Sequence, residues 1–303
     1  MKLDPELEAA LRDLPRQDFA DIDACRARSQ GIAGRHDRST TPSVSFVDAR
    51  VPREDGSTLR VRVVHDESPA EDAPVLLHLH GGGFCLGDPD YDEPIHAELV
   101  RRTGVVIVSP EYRRAPEHAY PAALDDCTLA LRWLASADFP FVPRPRSFGV
   151  AGDSAGGGLA AATALWARDF SPIALAAQFL LEPELDARLQ TRSMVEGTDT
   201  PVWWRSNAEL SWKHYLAGRK PDQYASPALA ATVAGLPRTY LTVNQADPLR
   251  DEGLDYALRL MDADVLTEVH CWPGACHGFL GFPARVARDA LDDLVRVIAA
   301  YLG

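Results

Sequence analysis

The tightest constraint on this chain is the stretch Gly152-Asp153-Ser154-Ala155-Gly156-Gly157-Gly158, set between two segments of opposite periodicity. Before it, Phe148–Ala151 is short and apolar, the pattern of a buried strand; after it, Ala155–Arg168 is rich in alanine, the pattern of a helix. A strand that passes into a helix across so few residues turns sharply, and the neighbouring backbones crowd one another. Gly152 and Gly156 leave the space such a crossing needs, and the serine between them is held in a strained, presented conformation. The helix start behind Ser154 favours negative charge developing nearby. G-x-S-x-G is a common pattern, and a glycine-rich turn that merely contains serine is its plain alternative. The strand-before, helix-after setting argues for a nucleophile. A phosphate-binding loop would need Gly-Lys-Ser/Thr or G-x-G-x-x-G, and neither is here.

The rest of the chain alternates in the same way. Val61–Val64, Val75–Leu79, Val105–Val108, Ile173–Leu181, Tyr240–Val243 and Val265–Val269 read as strands. Helical patterns run over Pro121–Ala135, Glu252–Met261 and Pro283–Tyr301, and Leu3, Leu7, Leu11 and Leu14 give the N-terminus one or two helices interrupted by Pro15. Nearly continuous apolar strands separated by helices imply an α/β fold, a mostly parallel sheet wrapped by helices. The exception is 185–225, which has no clear strand but holds Trp203, Trp204, Trp212 and Tyr215. The chain thus reads as one catalytic domain over 46–184 and 226–303. Its helical cap is expected from N-terminal helices within 1–45 and the insertion 185–225. No repeat or low-complexity tract interrupts this organisation.

Val75–Leu79 runs into His80-Gly81-Gly82-Gly83-Phe84. Acyl transfer needs backbone N–H donors aimed at an oxyanion, and glycines let the backbone approach that closely. Gly82, Gly83 and Ala155 are the expected donors, with His80 and Asp153 as loop support. His78-x-His80 also offers two imidazoles, but no third ligand follows at metal-site spacing, so no metal is expected.

Among the histidines, His277 lies in a glycine-flanked loop, Gly274-Ala275-Cys276-His277-Gly278-Phe279, between a strand and the last helix. Asp247 sits at the equivalent end of an earlier strand. In a doubly wound sheet the carboxyl ends of strands face the same crevice. The expected roles are Ser154 as nucleophile, His277 as general base and Asp247 as the acid that orients the imidazole. Asp251 is a rival acid, and an ordinary helix cap is the alternative for Asp247.

The charge balance excludes some partners. With 31 Lys+Arg against 44 Asp+Glu the net charge is −13, which opposes binding to nucleic acid or anionic lipid. No run approaches the roughly 20 apolar residues that span a bilayer, and no apolar segment follows Lys2, so no signal peptide is expected. Five cysteines without metal-site pairing fit a reduced thiol set and a cytoplasmic location.

Together, His80-Gly81-Gly82-Gly83, Tyr112-Arg113-Arg114-Ala115-Pro116-Glu117-His118, Gly152-Asp153-Ser154-Ala155-Gly156-Gly157, Asp247-Pro248-Leu249-Arg250-Asp251-Glu252-Gly253 and His277-Gly278-Phe279 resemble the bacterial hormone-sensitive-lipase-like esterases. This is family IV, in its GDSAGG subgroup. The resemblance covers about 70–303. It implies an eight-stranded α/β-hydrolase sheet, a cap built from the N-terminus and an insertion after the sixth strand, no cofactor, and hydrolysis of short- to medium-chain esters. Two positions depart from the pattern. Arg114 stands where the family commonly has an apolar residue and is expected to be surface variation. Glu182-Pro183 replaces a Tyr-Pro at the cap junction and bears on acyl preference. Cys85, just behind the glycine loop, should let bulky thiol reagents inhibit by crowding that loop.

The expected activity is therefore a serine carboxylesterase acting on a small-molecule ester through an acyl-enzyme. Phe84, Trp203, Trp204 and Trp212 are candidates for the substrate pocket, with cap packing their alternative role. An amidase or lactonase would use the same triad, and a catalytically silent small-molecule binder would have lost part of it. Oligomeric state stays open, a homodimer included.

Overall fold

The computed structural model describes residues 2–30 and 40–303. Its centre is an eight-stranded sheet in the order β1-β2-β4-β3-β5-β6-β7-β8. The strands are β1 (Val44–Pro52), β2 (Thr58–Asp66), β3 (Val75–Leu79), β4 (Val106–Pro110), β5 (Phe148–Asp153), β6 (Ala177–Leu181), β7 (Arg238–Ala246) and β8 (Thr267–Cys276). β1 and β2 form an antiparallel pair, and β2 joins β4 antiparallel. From β4 across to β8 every pairing is parallel. The parallel part places the carboxyl ends of β3, β5, β7 and β8 along one rim, where the expected site residues follow.

Helices α1 (Pro5–Leu11) and α2 (Ile22–Gln30) precede the sheet, and α3 (Glu93–Thr103), α4 (Ala122–Leu134), α5 (Ala155–Phe170), α8 (Arg250–Asp262) and α9 (Arg285–Leu302) wrap it. Between β6 and β7 lie α6 (Arg192–Glu196) and α7 (Arg205–Leu216). None of the described helices is long and apolar enough to cross a membrane. Part of the expected 1–45 segment, residues 31–39, falls outside the described residues.

Two elements go beyond the expected alternation. β1 is mostly exposed or half-buried, so no apolar run marks it; nine paired residues on β2 hold it. α3 buries Glu93 and His96 along with Ala97, Leu99 and Val100, and those polar positions blur its apolar face. It ends on Gly104 at φ 69°, whose N–H caps the carbonyl of Val100. β8 also runs further than Val265–Val269, through Pro273-Gly274 to Cys276, with a register irregularity against Asn244 and Ala246 of β7.

β3 shows how the core is divided. All five of its residues are buried. Val75, Leu77 and Leu79 join the larger cluster with Leu131 of α4 and Leu159 of α5. Leu76 points the other way, into a cluster with Val100 of α3 and Ile298 of α9. The two-residue strand period thus splits one apolar run between the two faces of the sheet.

The two segments outside the sheet meet over the loop after β3. Asn207 of α7 accepts the Phe19 N–H at 3.1 Å and donates to the Gln17 carbonyl at 2.7 Å. Ser211 of α7 donates to the Gly83 carbonyl at 3.0 Å. Leu7 of α1 is fully buried against Trp272 and Phe279.

Leu77→Ala should lower the unfolding free energy by about 3 kcal/mol, within the 2–5 kcal/mol typical of buried Leu→Ala changes. A urea titration with unchanged slope measures it; a loss well under ~1 kcal/mol would contradict a close-packed centre at β3.

Candidate active site

The link from β5 to α5 is as tight as its glycines suggest. A Cβ on Gly152 would sit 2.2 Å from the Gly156 carbonyl oxygen, and one on Gly156 only 2.0 Å from that of Leu79. Ser154 is held at φ 56°, ψ −124°, a conformation side chains rarely adopt. Its N–H donates to Leu181 at 2.9 Å, and its carbonyl accepts from Gly158 at 3.0 Å and Glu184 at 2.9 Å. The strained residue is fixed on both sides, which is how such a conformation persists.

Ser154 Oγ lies 2.8 Å from His277 Nε2, and His277 Nδ1 lies 2.8 Å from Asp247 Oδ2. All three residues are buried. Asp247 also accepts the Leu249 N–H at 2.9 Å, so the carboxylate is oriented from the β7 side. The imidazole then donates from Nδ1 and accepts the serine proton at Nε2. The rival Asp251 is engaged elsewhere: it accepts the Ser193 N–H at 2.8 Å and pairs with Arg250 at 2.7 Å, tying α6 to α8.

Glu182 stands beside this relay. Its Oε1 accepts the Gly278 N–H at 2.7 Å, and its Oε2 accepts from Asn244, whose amide also donates to the Cys276 carbonyl at 3.0 Å. Glu182 has φ 40°, and its N–H is held by the Thr242 carbonyl at 3.0 Å. The sequence marks Glu182 as a departure; its grip on the His277 loop comes only from the folded chain. Asn244 carries no such mark, because an asparagine inside a strand reads as an ordinary interruption.

The electrostatics follow from burial. Burial pulls the His277 imidazole down, but the carboxyls of Asp247, Glu182 and Glu184 outweigh it and raise its pKa to about 10. Burial pushes the Glu182 and Glu184 carboxyls up to about 8, with His277 opposing. Asp153 is pushed up to about 6 by burial. His80 goes the other way, down to about 3, because burial disfavours the imidazolium. A neutral His80 ring stacks on Tyr112 at 4.1 Å, and Tyr112 donates its hydroxyl to the His80 carbonyl at 2.7 Å. These contacts brace the glycine loop from behind.

A cavity of about 680 Å³ opens above Ser154 and His277. Gly82, Gly83, Asp153, Glu182 and Trp203 line it, with Leu11, Leu14 and Phe19 from the N-terminal segment. Gly82 has φ 122°, and a Cβ there would meet the Leu86 carbonyl at 2.5 Å, so the loop comes this close only as glycine. Ala155 begins α5 next to Ser154, where helix N–H groups have no intrahelical acceptor.

Of the four residues expected in the pocket, Trp203 is on this wall, 5.8 Å from the His277 ring and edge-on to Phe19. The other three are off it. Phe84 stacks on Tyr215 at 4.0 Å with Trp212 against it at 5.2 Å. Trp204 lies under the Arg16 guanidinium at 4.2 Å and donates to Ser206. Phe84, Trp212 and Tyr215 thus pack α7 onto the domain, while Trp204 meets the N-terminal segment.

Two further expectations are corrected. Arg114 is half-buried and donates to the Gly87 carbonyl, so it supports the loop behind the glycines and is not surface variation. Cys85 is fully buried, and burial raises its thiol to about 12, which leaves neither access nor thiolate for a bulky reagent.

Residues 76–281 match the family described as the alpha/beta hydrolase fold. The chain is similar to Carboxylesterase NlhH of Mycobacterium tuberculosis, 35% identical over 262 residues, 84% of this chain and 81% of that one. Among solved structures, it is 40% identical to a bacterial heroin esterase at a TM-score of 0.93, covering 100% of this chain and 98% of that one. Esterase LipW from Mycobacterium marinum is 38% identical at 0.91, covering 99% and 96%.

Of the five free cysteines only Cys271 is exposed. A bulky aromatic disulfide reagent should therefore modify one thiol rapidly in the native protein and leave Cys85 untouched, as peptide mapping would read. Rapid loss of the Cys85 peptide would contradict its burial.

Proposed function

The chain belongs to the hormone-sensitive-lipase-like carboxylesterases of the alpha/beta hydrolase fold, and we propose that it hydrolyses short- to medium-chain acyl esters with Ser154 as nucleophile. The observation that carries this reading is the unbroken relay Asp247–His277–Ser154, with 2.8 Å at each step, ending in a cavity beside a glycine loop. As Ser154 attacks the ester carbonyl, His277 takes the hydroxyl proton and Asp247 stabilises the imidazolium. The N–H groups of Gly82, Gly83 and Ala155 receive the oxyanion. His277 then protonates the departing alcohol, leaving an acyl-serine. A water deprotonated by the same imidazole releases the acid.

The size of the cavity and its wall of Leu11, Leu14, Phe19 and Trp203 support a small apolar acyl or alcohol group. The N-terminal segment and the α6–α7 region supply that wall from above, which supports reading them as the two parts of a cap over a catalytic domain. The substrate is a small ester. The unpaired cysteines favour a reducing, cytoplasmic setting, and the negative net charge argues against anionic membranes as partners.

The direct test is hydrolysis of p-nitrophenyl esters from acetate to palmitate by the wild type and Ser154→Ala. Activity should peak at short chains and fall on the order of 10⁴-fold or more in the variant. A folded wild type that turns over no ester, or a variant that retains activity, would overturn the assignment. A matched anilide run alongside separates ester from amide cleavage, which demands firmer protonation of the leaving group.

The carboxyls around His277 give a second test. A general base works only when unprotonated, so a raised imidazole pKa moves the rising limb of kcat/KM to alkaline pH. Glu182→Gln removes one negative neighbour above the pH where Glu182 ionises. The limb should then shift towards acid by about half a unit or more, since one pKa unit corresponds to ~1.4 kcal/mol of interaction. A wild-type limb near the ordinary histidine value, or an unmoved limb in the variant, would rule out this role for Glu182.

A further inference from the structure

Behind the site, a second cavity of about 460 Å³ shares Asp153, Glu182 and Gly278 with the first. His78 and Asp92 form part of its wall. His78 stands on β3 and points to the α3 side of the sheet, opposite to Leu77 and Leu79. Asp92 immediately precedes α3, and His96 follows one turn later on the same face. His78 Nδ1 is 3.9 Å from Asp92 Oδ2, and the two imidazole rings meet edge-on with centroids 4.5 Å apart. One ligand atom from each of the three residues lies within 4.8 Å of the others.

Among the described residues, His78 Nδ1, Asp92 Oδ2 and both ring nitrogens of His96 are buried without a hydrogen-bond partner. Each such atom is destabilising if nothing satisfies it. Three of them converging on one point is not what an apolar core selects, and a single cation would satisfy all three at once. We propose that His78, Asp92 and His96 form a binding site for a borderline divalent transition ion of the Zn²⁺ type, with its remaining position open to the second cavity.

The donor set fits that ion. Two imidazoles and a carboxylate are a Zn²⁺ arrangement, and bonds of about 2.0–2.1 Å in a tetrahedron place ligand atoms roughly 3.4 Å apart. The 3.9 Å between His78 and Asp92 is within about half an ångström of that spacing. Burial holds both imidazoles neutral and, with Asp153 and Asp88, pushes the Asp92 carboxyl up, so an ion would meet the imidazoles in their ligating form and displace the Asp92 proton. The nearby acids Asp88 and Asp153 face Asp92 and favour a cation. Arg62, the adjacent positive group, is already neutralised by Glu93 and by Asp48 at 2.8 Å. His80 takes no part: its Nδ1 is 2.8 Å from the Gly81 carbonyl oxygen, and its ring is committed to Tyr112.

The experiment is independent of ester turnover. Chelator-stripped, dialysed full-length protein is titrated with ZnCl₂ by calorimetry and with CoCl₂ by visible absorption. The expected result is one equivalent bound with micromolar or tighter affinity and a Co²⁺ spectrum of four-coordinate type. His96→Ala and the near-isosteric Asp92→Asn should each weaken binding tenfold or more, and thermal melting verifies that the variant used is folded. No saturable binding by the wild type below about 100 μM, equivalent to a binding free energy weaker than ~5.5 kcal/mol, would overturn the site and leave its polar atoms to water. Binding unchanged in a folded variant would also overturn it, placing the ion elsewhere.

Discussion

The close approach of the start of α5 to the end of β3 governs this molecule. Gly156 lies where any side chain would strike the Leu79 carbonyl oxygen, so helix and strand touch through backbone alone. That contact brings Ser154 within reach of the loop that follows β3 and sets the serine at a positive φ that the neighbouring strands enforce. The strain is affordable because the parallel sheet around it is buried on both faces and over-determines the turn. Without the contact, nucleophile and glycine loop would be separate features on separate strands.

A second consequence is the concentration of buried charge at the carboxyl rim. Asp247, Glu182, Glu184 and Asp153 all bear on His277. Removing so many carboxyls from water is costly, and most are raised in pKa as a result. Glu182 repeats the logic of Ser154 on the next strand, holding a left-handed backbone conformation while its carboxyl grips the Gly278 N–H and Asn244. The base is therefore positioned from two sides, by Asp247 through its ring and by Glu182 through its loop.

The segments that line the cavity above Ser154 are held by polar contacts to backbone and by aromatic packing. Asn207 and Ser211 fasten α7 to the N-terminal segment and to Gly83, while Phe84, Trp212 and Tyr215 fill the space beneath. Only Trp203 among the expected aromatics turns towards the catalytic residues. The shape above Ser154 is thus set by Trp203, on the loop before α7, and by Phe19 of the N-terminal segment.

Reading along the chain yields local features. Apolar runs announced seven of the eight strands and most of the helices, because burial on both faces leaves a nearly continuous apolar stretch. The glycines around Ser154 and after β3, and the loops bearing Asp247 and His277, were legible because close backbone approach and strand-end placement demand those residue types. β1 was not legible, since an exposed edge strand needs no apolar pattern, nor was α3, whose buried face carries Glu93 and His96. Folding settled which acid meets His277, which tryptophan faces the cavity, that Arg114 reaches Gly87, and that His78 finds His96 instead of His80. Each of these depends on residues distant in the chain being brought within a few ångströms. A pattern read along one strand or helix fixes a side chain's direction, and the packing of the others fixes what it meets.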